Sequence, residues 1–163
     1  MKTDPLAREV LATWKRHQQI LLFLLQRVPE KRLDALPTGS KGRDVARQFA
    51  HMNRTRLGWL HFHTTGARPD LPKSSKGERP KKKELAAALR ASGKSVEELL
   101  ARSLRKEARI RLFGKSPVRW MVYLIAHESH HRGQIVLALK QSGLVLDEKV
   151  TVEGLWGKWI FGK

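Results

Sequence analysis

The chain has 163 residues, 40% of them apolar, no cysteine, and a formal net charge of +18. That size suits one domain spanning residues 1–163 around a single core, and the missing cysteines exclude disulfides and thiolate metal sites. No apolar run approaches the ~20 residues that cross a bilayer, and Met1-Lys2-Thr3-Asp4-Pro5 has no signal-peptide character, so a cytoplasmic protein without a membrane partner is expected.

Helical periodicity recurs four times along the chain. Residues 4–28 place Leu6, Val10, Trp14, His17, Leu21, Leu24 and Val28 at steps of three and four, one buried stripe that Pro29 closes. Thr38-Gly39-Ser40-Lys41-Gly42 reads as a turn and N-terminal cap for a second helix over residues 43–64, which carries Val45, Phe49, Met52, Trp59, Leu60 and Phe62. Residues 66–80 hold prolines, glycines and lysines with no apolar period and are expected to be a mobile loop. The third helix begins near Lys81 and repeats Leu85, Leu89, Ser92, Val96, Leu99 and Ser103, with Gly93 weakening it locally. The fourth has Ser116 as N-cap, Pro117 at its first position and Gly143 beyond its end. A short tail without helical pattern follows, ending in Leu155-Trp156-Gly157-Lys158-Trp159. Four long amphipathic helices joined by loops imply an all-α helix bundle.

The chemistry concentrates in His127-Glu128-Ser129-His130-His131-Arg132-Gly133-Gln134. His127 and His131 are four apart, one above the other on a helix face, and two neutral imidazoles so placed can converge on a divalent cation. The inward stripe of this helix reads Trp120, Leu124, His127, His131 and Gln134/Ile135, which puts both rings in the apolar seam. Burying them is costly unless their nitrogens find partners. A further ligand must come from elsewhere, and His51 on the second helix is the best candidate. His61 and His63 lie too far along that helix to share its ion. His17 falls in the first helix's stripe as a core residue, a partner of a ligand or a fourth ligand, and His130 belongs at the seam edge.

These residues resemble those of the DinB-like (DinB/YfiT) metalloenzyme superfamily. The likeness rests on Ala50-His51-Met52 followed by Trp59-Leu60, on the run from His127 to Ile135, and on the Leu155–Trp159 tail. It implies a four-helix bundle of up-down-down-up order, His51, His127 and His131 as metal ligands, zinc or nickel as the ion with open positions for water, and a homodimer. It also implies that some members are thiol-dependent transferases or isomerases acting with low-molecular-weight thiols.

A three-histidine site is of the open, catalytic kind, and its ion would activate a water or an incoming thiol. A thiol transferase or a hydrolase acting on a small electrophile follows as the expectation, with a non-catalytic metal-binding or stress-related bundle, or a basic nucleic-acid-associated protein, as the alternatives. Arg132 is expected to face a partner, Gly133 to permit close helix approach, and Gln134 to hydrogen-bond a ligand histidine or the backbone of a neighbouring helix. Trp59 and Trp120 read as core, with one of them placed to wall the metal cavity. His127-Glu128-x-x-His131 also satisfies the zincin protease motif with Glu128 as base. No downstream histidine and no strands accompany it, which leaves Glu128 as a helix-face residue beside the ligands. The cations are spread along the chain without interleaved aromatics, so the charge reads as a solvated surface that meets nucleic acid nonspecifically.

Overall fold

The computed structural model describes residues 4–70 and 80–162, and every regular element among them is helical. Four long helices dominate: α1 (Pro5–Arg27), α2 (Val45–Thr65), α3 (Lys82–Leu104) and α4 (Pro117–Gln141). After them come a π-helical segment, Lys149–Trp156, and the short α5 (Gly157–Ile160). None of these helices is long and apolar enough to cross a membrane.

Local chemistry sets most of the boundaries. Asp4 caps α1 by accepting from the Leu6 N–H, and Ser116 caps α4 by accepting from the Arg119 N–H. Gly143, at φ 85°, follows α4 in the left-handed region that ends helices. The turn expected at residues 38–42 is present, with the Ser40 N–H donating to the Pro37 carbonyl at 2.9 Å. The cap of α2 is four residues further on, where Asp44 accepts from the Arg47 N–H at 2.8 Å. The mobile loop expected over residues 66–80 falls mostly on residues 71–79, outside the described residues.

Two apolar clusters form the core. One joins Leu21, Leu24 and Val28 of α1, Val45, Phe49 and Met52 of α2, Leu85 and Leu89 of α3, and Ile135 and Leu139 of α4. The other joins Val10 and Trp14, Val96 and Leu100, and Trp120 and Leu124 from α1, α3 and α4, with Trp59 and Leu60 of α2 packed against it. Followed along the chain, α1 and α4 run from the second cluster to the first, whereas α2 and α3 run from the first to the second. The chain therefore returns the length of the molecule between α2 and α3, and Lys82 at the start of α3 donates to the Gln26 and Val28 carbonyls at the end of α1.

Between the clusters lies a charged layer with no exposure to solvent. The Arg56 guanidinium donates from Nε and Nη2 to the two Glu128 carboxylate oxygens, at 2.6 and 2.7 Å, and from Nη1 to the Leu89 carbonyl at 3.1 Å. His17 Nε2 lies 2.8 Å from Glu128 Oε2, and the Arg56 guanidinium sits 4.9 Å from the Trp14 ring centroid. Burial alone would raise the Glu128 pKa, but the charge of Arg56 and the bonds from His17 and Arg56 overrule it and hold the carboxyl at about 2. Burial outweighs Glu128 at His17 and lowers its pKa, so the ring is neutral and donates its Nε2–H.

This layer corrects the expected facing of α4. Its buried stripe is Trp120, Leu124, Glu128, His131 and Ile135, with Glu128 in the centre and His127 half-buried at the edge. Glu128 is not a helix-face residue, and a carboxylate held by Arg56 and His17 is not placed as a protease base. Gly133 is exposed, and a Cβ there would meet nothing within 4 Å, so it serves no close helix approach. Gly93 has that role: a Cβ there would strike the Gln18 amide at 2.6 Å, and its carbonyl accepts from Trp14 Nε1 at 2.9 Å. The tail is also helical, because Gly154 lets it settle against the Phe23 ring.

Removing the carboxylate leaves Arg56 charged and unpaired in the core. Glu128→Ala is expected to lower unfolding free energy by about 3–5 kcal/mol in urea titrations at pH 7, and a loss below about 1 kcal/mol would show that the layer contributes little. The folded Glu128 pKa lies below the free value of 4.5. Its contribution is therefore complete above about pH 4.5 and is lost as pH falls toward 2.

Candidate metal centre

The rotation imposed on α4 by Glu128 decides where its histidines go. With Glu128 pointing into the core, His127 and His131 fall together on one side of that direction, about 100° and 60° round the helix, and meet His51 from α2. Each of the three offers a ring nitrogen, and these atoms all lie within 4.8 Å of one another. The ring centroids are 4.7 Å apart for His51 and His131, 5.3 Å for His51 and His127, and 4.5 Å for His127 and His131. Three histidines picked out on two separate helices are thus brought to one point.

The donor chemistry fits a divalent cation. His131 Nε2 and His127 Nε2 are 3.2 Å apart, close to the roughly 3.3 Å that separates two nitrogens on a tetrahedral ion with ~2.0–2.1 Å bonds. Gln48 Oε1 accepts from His131 Nδ1, which fixes the tautomer and leaves the Nε2 lone pair toward the cluster. Burial, then Arg43, His127 and Arg54, hold His51 at about 4; burial, then the neighbouring histidines and Arg43, hold His131 at about 4. Burial lowers His127 too, against the opposing pull of Glu128. All three rings are therefore neutral at pH 7, the form that ligates metal.

The remaining sequence candidates separate clearly. His17 is outside the cluster and spends its Nε2–H on Glu128. The hydrogen bond expected of Gln134 is made by Gln48, a residue sequence reasoning missed although it stands one turn before His51 on α2. Trp120 is fully buried, its ring 4.6 Å from that of His63, and belongs to the core rather than to a metal cavity. Trp59 does wall a cavity of about 500 Å³ whose lining includes His51. Tyr123, also missed, stacks on His127 with centroids 5.9 Å apart. His130, expected at the seam edge, is exposed, its ring centroid 5.3 Å from that of His131. Arg132 lies with Trp156 and Trp159 in a groove on another face and donates to Ser129 Oγ at 2.7 Å.

A family model, described as the DinB family, matches residues 1–151. No curated protein matches the chain. The chain belongs to the DinB family, as the resemblance of its histidine motifs implied.

Gln48→Ala is expected to weaken zinc binding about 10–100-fold with helical content unchanged, measured by competition with a chromogenic chelator. The pH response follows from imidazole values near 4. Zinc affinity should vary little from pH 8 to pH 6 and collapse as pH approaches 4. The metal-free protein should lose stability as pH falls from 6.5 toward 4, where the unfolded chain takes up protons first. A midpoint for zinc release near pH 6.5 would contradict the neutral-imidazole geometry.

Proposed function

We propose that this DinB-family protein is a metal-dependent enzyme with a divalent ion, zinc or nickel, on His51, His127 and His131, acting as a small-thiol transferase or a hydrolase. The observation that carries the reading is the convergence of three neutral imidazoles from two helices beside a cavity with aromatic walls. Three protein ligands form the open type of site, in which positions remain for water or substrate. A bound ion supplies Lewis acidity, lowering the pKa of a coordinated water or thiol toward neutrality.

The chain's own groups supply the rest. Gln48 orients His131, and Tyr123 packs on His127, so two of the ligands are held before any ion arrives. Burial, with a smaller contribution from Arg43, keeps protons off the imidazoles. Having no cysteine, the chain offers no thiolate of its own to compete with an incoming thiol. The direction of the helices through the two core clusters supports the up-down-down-up bundle order. We place the protein in the cytoplasm as a homodimer that touches nucleic acid only nonspecifically. The exposed Trp156, Ile160 and Phe161 support an assembled tail face.

Metal analysis of the purified protein is expected to find about one zinc or nickel per chain, and His127→Ala to lose it. Stoichiometric metal in that variant would overturn the ligand assignment. Consumption of a small thiol and an alkylating electrophile, dependent on added metal and absent in His127→Ala, is the activity expected. A metal-replete protein inert to thiols and esters alike would leave a binding bundle without catalysis.

A further inference from the structure

We infer that the cavity beside the three histidines binds an organic anion, its charge among arginines and its body apolar or aromatic, and that this is the substrate class of the site. The assignment as substrate rests on reading the histidine cluster as the reactive centre; the binding itself does not. The cavity, about 500 Å³, has the volume of a small-molecule site. One stripe of α2 forms its floor, because positions 51, 54, 55, 58, 59 and 62 share a helix face. Trp59 and Phe62 supply aromatic surface, and Leu112 closes it from the α3–α4 connection. Arg43, Arg54 and Arg68 bring three guanidinium groups to the same lining, and none of its described residues is acidic. His51 is shared by the cavity and the metal cluster, so a ligand seated here lies beside the reactive position.

Leu112 shows that this wall is built rather than incidental. It is a non-glycine residue at φ 57°, ψ −157°, a conformation that costs about 1–3 kcal/mol and persists only where neighbours enforce it. The residue before it, Arg111, is held by His63, whose Nδ1 accepts from the Arg111 N–H at 3.1 Å while its carbonyl accepts from Arg111 Nε at 3.2 Å, and the Leu112 carbonyl itself accepts from the Lys115 N–H. His63 is itself held against Trp120 and Trp59, with centroids 4.6 and 5.8 Å away. A large apolar side chain, 60% exposed, is thereby fixed at the edge of an arginine-lined cavity. An apolar body on Trp59, Phe62 and Leu112 with an anionic group toward the guanidinium side satisfies both surfaces. A cationic ligand would face like charges, and a neutral one would leave Arg43 and Arg68 without a counter-charge.

The test is calorimetry of the zinc-loaded full chain with 4-phenylbutyrate and its neutral counterpart 4-phenylbutanol at physiological salt. The carboxylate should bind, and the alcohol about tenfold more weakly. Arg43→Gln and Arg68→Gln should each weaken the carboxylate severalfold and leave the alcohol unchanged, whereas Leu112→Ala should weaken both. Lys94→Gln, which removes an exposed charge on α3 outside the cavity lining, should change neither. Equal binding of acid and alcohol, binding of neither, or a loss from Lys94→Gln equal to that from Arg43→Gln would overturn the inference. Zinc content of the same samples separates the two readings. Zinc bound without phenylbutyrate binding overturns this inference alone, and phenylbutyrate bound without zinc overturns the metal reading while the anion cavity stands.

Discussion

One carboxylate ties the four long helices together. Glu128 of α4 is clasped by Arg56 of α2 and His17 of α1, and Arg56 also reaches the Leu89 carbonyl of α3. The layer lies between two apolar clusters, where water cannot substitute for a missing partner. Such a layer is weak evidence of net stability, since an apolar replacement often serves as well, but it is an exacting statement of register. Turning α4 by one residue would bury His127 in place of Glu128 and strand Arg56. The histidine cluster depends on that constraint, because it sends His127 and His131 together to one side of the buried carboxylate, toward His51.

The electrostatics of the site follow from the same arrangement. Among the described residues the only carboxylate acting on the cluster, Glu128 beside His127, is already neutralised by Arg56, while Arg43 acts on all three imidazoles. Burial and this positive surrounding keep the rings unprotonated, which prepares them for a cation without holding protons that must first leave. A bound ion would make the region more positive still, and the arginines of the adjoining cavity add to that field.

Much of this was legible in the residues. Capping chemistry placed the start of α4 at Ser116 and the end of α1 at Val28, and the three histidines stood out because imidazoles at helical spacing on apolar faces need a partner. The errors share one physical cause. Glu128 was read as a helix-face residue because charges are seldom buried, so it gave up its place in the stripe to His127, and Arg56 was passed over between Met52 and Trp59. Gln48 was missed for the same reason, being a polar residue on a buried face. Gly154 and Gly93 could not be read as contact points, because the side chains that fill the space above them, Phe23 and Gln18, lie 131 and 75 positions away in the chain.

The sequence by itself determined the helical class, the start of α4 and the three imidazoles that could hold a metal, since periodicity, caps and ligand type are local properties of residues a few positions apart. Only the tertiary structure decided which way each helix faces. That choice turns on pairing charges 72 and 111 positions apart, an energy that no local window contains. From it follow the companions of the site: Gln48 behind His131, Tyr123 on His127, and an arginine-lined cavity at His51.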